Sequence, residues 1–199
     1  MADPPPQRGA EAAPAKSGGG RRVVVLLIAA LSLAPIVAAY IVYYFFPQQP
    51  AANYGTLLAT GPAPPISGMR ADGSPFRLDE LRGRWVLLWG ESGGCGPACD
   101  KAAYATRQAR TMQGKDQDRI VRALLLVGDA QPPPALVAQH PDLIVVGVAT
   151  NALDALPGGR GTVHVIDPLG NLVLRYPNDP DIRGLANDLA RLLKASRIG

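Results

Sequence analysis

Both cysteines of the chain fall in one stretch whose punctuation leaves few folds open: Leu87-Leu88-Trp89-Gly90-Glu91-Ser92-Gly93-Gly94-Cys95-Gly96-Pro97-Ala98-Cys99-Asp100. Trp85 to Trp89 is a short apolar run of the kind a buried strand makes, and Gly93, Gly94 and Gly96 free the backbone for a sharp reversal. Pro97 suits the first position of a helix, where no amide hydrogen is needed, so Gly96 is expected at the cap and Cys99 in the first turn. There Cys99 would sit exposed among unpaired backbone N–H groups at the positive end of a helix dipole, which favours thiolate over thiol. Strand, turn and cysteine-bearing helix predict an α/β domain with its dithiol at a strand's C-terminal end, where open α/β sheets place their sites.

The flanking sequence supplies the rest of such a domain. Ile66 to Leu78, with Asp72-Gly73 between short segments, reads as a hairpin, and Asp79 to Leu81 as a helical turn. A helix is expected over Pro97 to about Gln113, with Tyr104 among the residues of its buried face. Ile120–Val127 reads as a strand covered on both faces, Leu143–Ala149 as a further β-branched strand, and Ala135–Gln139 as a short helix after Pro132-Pro133-Pro134. Ala152–Leu156 suggests one more helical turn, and Gly158-Gly159-Arg160-Gly161 a loop. Thr162–Ile166 and Leu172–Tyr176 form a terminal hairpin, and Asp181–Ser196 is an amphipathic helix. The alternation predicts a mixed sheet with helices on both faces.

Ahead of this domain the composition changes. Residues 1–22 are rich in Pro, Ala and Gly and are expected to be disordered. Val23–Phe46 runs 24 residues without a charge, enough for one bilayer crossing, with Pro35 expected to kink it. Arg21-Arg22 precede the run, Tyr40, Tyr43 and Tyr44 gather at its far end, and no Lys or Arg follows until Arg70. This predicts an uncleaved anchor with a cytoplasmic N-terminus and the domain across the membrane, in a bacterial cell the periplasm. Residues 47–61, and the Pro-rich run on to Pro65, read as an extended spacer before a domain over 62–199. The net charge of +4 and pI of about 9.3 owe much to Arg8, Lys16, Arg21 and Arg22, and no basic stripe interleaved with aromatics argues for nucleic-acid binding.

The chemistry-bearing residues are few. A bridge between Cys95 and Cys99 closes too short a loop to stabilise the fold much, and it requires Cys95 to lie outside the regular helix. The pair is therefore expected to be functional. Glu91, four residues before Cys95, is a candidate proton acceptor during thiol exchange. Asp100 and Lys101 are expected to offset each other's field on the thiolate. His140 reads as a surface loop residue and His164 as a packed or edge strand residue, which leaves a protein-only tetrahedral zinc site without support. Two soft thiolates suit Cu(I).

A hairpin, a strand, paired cysteines at a helix start, a second strand and helix, and a closing hairpin and helix together resemble a thioredoxin-like domain over about 62–199. Three residues separate Cys95 from Cys99, which is similar to the SCO/SenC family of cytochrome oxidase assembly factors, themselves N-terminally anchored. Counting back from Asp167-Pro168, the place where thioredoxins carry a cis proline falls near Gly161 and holds no proline, an absence shared with that family. Gly159 stands where the family has its copper-ligand histidine, and Gly90-Glu91-Ser92-Gly93-Gly94 replaces its glycine-tyrosine-threonine lead-in. The resemblance thus implies a divergent member that keeps the cysteines and lacks the histidine. It implies assistance to assembly of a copper-containing cytochrome c oxidase, with Cys95 and Cys99 holding Cu(I) or reducing a partner's copper-ligand cysteines. The alternatives are a general thiol-disulfide oxidoreductase acting on another periplasmic thiol protein, and a non-catalytic accessory protein.

Overall fold

The computed structural model describes residues 19–45, 53–128 and 131–196, in two compact units, Met1–Ala52 and Asn53–Gly199. The expected disordered tail before Gly19, and the spacer as far as Ala52, lie outside the described residues. In the first unit α1 (Gly19–Phe45) begins ahead of the predicted Val23 and carries Pro35 inside it. Its 20-residue segment Arg22–Ile41 contains a window of mean hydropathy 2.6 and is long and apolar enough to cross a membrane. Val25, Leu27, Leu31 and Ile36 are all exposed, so the apolar surface is not confined to one stripe, as suits a helix surrounded by lipid.

The second unit is an eight-stranded mixed sheet. Its strands are β1 (Thr56–Pro62), β2 (Ser67–Arg70), β3 (Pro75–Arg77), β4 (Trp85–Ser92), β5 (Ile120–Val127), β6 (Leu143–Val148), β7 (Val163–Ile166) and β8 (Asn171–Tyr176). They are ordered β1-β8-β7-β4-β5-β6-β2-β3. β4, β5 and β6 run parallel, and β7 lies antiparallel on the other side of β4. The helices are α2 (Pro97–Thr111), α3 (Pro134–Gln139) and α4 (Ile182–Ala195). The predicted strands, both hairpins and the closing helix are all present.

Three expectations are corrected. Part of the predicted spacer, Thr56–Pro62, is instead β1, pairing antiparallel with β8. It is held at its start by a buried carboxylate: Asp188 Oδ2 accepts from Gly55 N at 2.9 Å and from the Tyr176 hydroxyl at 3.1 Å. Tyr54 adds to the anchor, its hydroxyl accepting from Asp181 N at 2.9 Å, where Asp181 caps α4. Secondly, α-helices do not cover both faces. The walk β4 to β5 to β6 moves one way along the sheet, so two right-handed crossovers put α2 and α3 on the same face. Cys99, Ala102 and Ala103 of α2, Leu136 of α3 and Leu185 and Leu189 of α4 share one core with Trp85, Leu87 and Trp89. On the other face Val86 and Leu88 meet Phe76, Leu78, Leu81, Leu153 and Leu156, from the hairpin, a 3₁₀ turn (Leu78–Leu81) and the chain around a second one (Thr150–Ala152). Thirdly, Tyr104 is 51% exposed, because the buried stripe of α2 is Cys99, Ala102, Ala103 and Thr106 at helical spacing.

Gly90, two residues short of the end of β4, touches the second core: a Cβ there would run into the buried Leu153 side chain. Gly90→Ala should lower the unfolding free energy by about 1–3 kcal/mol, as overpacking does. Adding Leu153→Ala should make the pair less than additive in chemical denaturation, because the obstructing atoms are gone.

Candidate functional site

The reversal after β4 is made by Gly93 and Gly94, whose φ angles of 82° and 101° exclude ordinary side chains. Gly96 is the extended N-cap of α2 and Pro97 its first residue, so Asp100 N closes the first helical bond onto Gly96 O at 3.0 Å. Cys95 therefore lies outside the helix and Cys99 in its first turn. The two are bridged, with Cα atoms 5.1 Å apart. The expected exposure of Cys99 is overturned: it is 1% exposed and packs in the core with Trp89 and Ala102. The more accessible residue of the pair is Cys95, half-buried on the rim of the same core. The reason lies in the helix period, which puts position 99 on the same stripe as 102, 103 and 106.

Around the bridge the charges differ from expectation. Asp100 Oδ1 lies 3.7 Å from Cys95 Sγ, whereas Lys101 pairs with Asp179 Oδ2 at 2.8 Å. The predicted offset between Asp100 and Lys101 is therefore absent. Alternation along β4 puts Glu91 on the face of Trp89, the one α2 covers. Its Oε1 is buried without a hydrogen-bond partner, and burial pushes its carboxyl above the usual range.

Neither histidine joins the cysteines. Among the described residues no group of three or more His, Cys, Asp or Glu side chains is arranged to hold a metal ion. His164, opposite Leu88 in β7, is fully buried with Nε2 2.8 Å from Pro157 O. Burial pushes its pKa down. His140 is not the surface residue expected, being 4% exposed after α3; burial, then the charges of Arg122 and Arg107, lower its pKa. Once the bridge is reduced, the soft donors at the reversal would be the two thiolates, which suit Cu(I), with no imidazole beside them for Cu(II).

Gly161 N donates to Gly90 O at 2.9 Å, so the loop before β7 closes onto the end of β4. No cis peptide occurs among the described residues. Sequence reasoning missed the buried Arg122 on β5, which donates to Ala103 O at 3.0 Å and pairs with Asp142 at 2.6 Å, fastening α2 to the sheet. A charged residue inside the run Ile120–Val127 was the available signal.

Comparison with known proteins agrees with this geometry. The family described as "Transmembrane-like, thioredoxin-like, C-terminal domain" matches residues 85–196. Among solved structures, Arabidopsis thaliana ScoI with copper bound is 17% identical at a TM-score of 0.57, over 68% of this chain and 100% of that one. Apo Sco1 from Thermus thermophilus is 22% identical at 0.53, over 72% and 96%. The thioredoxin domain of a thiol-disulfide oxidoreductase from Bacteroides vulgatus is 16% identical at 0.50, over 68% and 99%. The fold is thus the thioredoxin-like one seen in Sco proteins. No curated protein matches the sequence.

After reduction, iodoacetamide should label Cys95 at least about tenfold faster than Cys99, whose access needs local opening. Equal labelling in peptide mass spectra would contradict the burial described. Because burial raises the folded pKa of Glu91, its ionisation weakens the fold, and the penalty grows as pH rises above the unfolded carboxyl value. Glu91→Gln should therefore stabilise the chain at pH 7, with the gain fading by about pH 4 in urea denaturation.

Proposed function

The chain belongs to the transmembrane-like, thioredoxin-like family, and from that premise we propose that it is a membrane-anchored dithiol protein that reduces cysteine pairs on a partner. The observation that carries this is the unequal pair: a half-buried Cys95 at the rim of the core, bridged to a sealed Cys99. In the reduced protein the Cys95 thiolate attacks a partner disulfide, forming a mixed disulfide and releasing the partner's other sulfur as a thiolate, which takes up a proton. The Cys99 thiol loses its proton, for which Glu91 is the candidate acceptor, and its thiolate attacks Cys95 Sγ. The Cys95–Cys99 bridge forms, and the partner leaves fully reduced. Two electrons pass to the partner, and a further reductant of the thiol class returns the pair to its starting state.

The partner we propose is the copper-binding subunit of a cytochrome c oxidase, whose ligand cysteines must be reduced before metal enters. The fold shared with Sco proteins supports this choice. The anchor would lie in a bacterial inner membrane with the N-terminus cytoplasmic, as Arg22 in the first turns of α1, just ahead of its apolar run, and the lack of Lys or Arg until Arg70 argue. A second reading, supported by the two-thiolate donor set, is that Cys95 and Cys99 hold Cu(I) as cargo for the same subunit.

Replacing Cys99 by Ser should trap the mixed disulfide. Full-length Cys99→Ser, incubated with an oxidised peptide carrying the oxidase's two copper-ligand cysteines, should accumulate an adduct on Cys95 visible on non-reducing gels. Cys95→Ser should give none, a loss of at least about a hundredfold, and the absence of any adduct would refute the exchange reading. One-to-one Cu(I) binding to the reduced chain, abolished in Cys95→Ser, would support the cargo reading.

A further inference from the structure

The first turn of α2 carries an unbalanced charge beside the accessible sulfur. Asp100 Oδ1 stands 3.7 Å from Cys95 Sγ. A bridged sulfur has no proton to donate, so the contact is the close approach of a carboxylate to the sulfur that an incoming thiol must strike. Asp100 is exposed and has no ion-pair partner among the described residues. Two cations that follow it on α2 are engaged elsewhere. Lys101 bonds Asp179 at 2.8 Å, while Arg107 donates to Gln139 O at 2.7 Å and lies over the Tyr104 ring at 5.8 Å. Glu91, the carboxyl at the end of β4, is half-buried with its Oε1 turned into the core, whereas Asp100 stands in solvent.

We infer that Asp100 is a specificity-determining residue for exchange at Cys95, disfavouring anionic thiols and favouring thiols carried beside positive charge. The inference rests on the dithiol reading above and names its partner class: a polypeptide cysteine flanked by Lys or Arg. In the direction that opens the bridge, an incoming thiolate attacks Cys95 Sγ, a new sulfur–sulfur bond forms, and Cys99 leaves as a thiolate that is then protonated. A second thiolate attacks the incoming sulfur of the mixed disulfide and releases Cys95, so two thiols are oxidised as the bridge is reduced. The ionised Asp100 bears on the first step, because the approaching group carries its own charge past the carboxylate.

Two unit charges roughly 7 Å apart in water-like surroundings alter a rate about threefold. Exchanging a negative thiol for a positive one therefore amounts to about five- to tenfold at low salt, and screening at about 0.5 M removes most of it. The test uses the oxidised full chain in uncharged detergent, opened by cysteamine or by 3-mercaptopropionate, with bridge opening followed by alkylation and mass measurement. The ratio of the two rates should fall about five- to tenfold in Asp100→Asn, recover in Asp100→Glu, and lose its dependence on the variant at about 0.5 M salt. An unchanged ratio in Asp100→Asn at low salt, with the bridge still opening, overturns the role of Asp100 and leaves thiol exchange standing. A bridge that neither thiol opens in the unsubstituted chain overturns both.

Discussion

The closeness of α2 to the sheet is the constraint on which the site depends. Its buried stripe is Cys99, Ala102, Ala103 and Thr106, followed by Ala109, and such small side chains let the helix axis approach Trp85, Leu87 and Trp89 closely. Thr106 keeps its hydroxyl satisfied within the helix, donating to Ala102 O at 2.8 Å. A larger residue at any of these positions would lift the helix and open a gap beneath Cys99. The sealed cysteine is therefore a product of alanine packing as much as of the cysteine motif.

Arg122 strengthens the same contact at an electrostatic cost. It is fully buried in the middle of β5, and burial draws its pKa down while Asp142 holds it up. A charge placed so deep stabilises little by itself, since desolvation offsets much of the attraction. What it adds is direction. One arm meets Ala103 O on α2 and another meets Asp142, just ahead of β6, so helix and two strands are fixed to one group. Removing Asp142 alone would leave that guanidinium buried with a single carbonyl for company.

Much of this fold was legible in the sequence because its signals are local. Asp72-Gly73, Pro97 and the run Ile120–Val127 each name their element through turn chemistry, capping or a nearly continuous hydrophobic run, and each element is present. The misreadings share a different cause. Thr56–Pro62 carries glycine and proline that suit a spacer, and only the partner strand β8 makes it a strand. His140 looks polar enough for a surface loop, yet the packing of α3 covers it. The helix end alone argues for an exposed Cys99, whereas the spacing 99, 102, 103, 106 turns it inward. Asp100 and Lys101 look balanced as neighbours in sequence, and Asp179, far along the chain, breaks the balance.

The buried carboxylate of Asp188 sets where this domain begins. It binds the backbone amide of Gly55 and the hydroxyl of Tyr176 together, and Tyr54 lies over Gly184 where a methyl group would not fit. A soluble version cut at Pro62, as the run of prolines invites, would discard the edge strand and strand an anionic oxygen with half its donors inside the core. Excision a few residues earlier, before Asn53, preserves the clasp. The shortest faithful form of the protein is thus defined by an aspartate some 130 residues downstream of the cut.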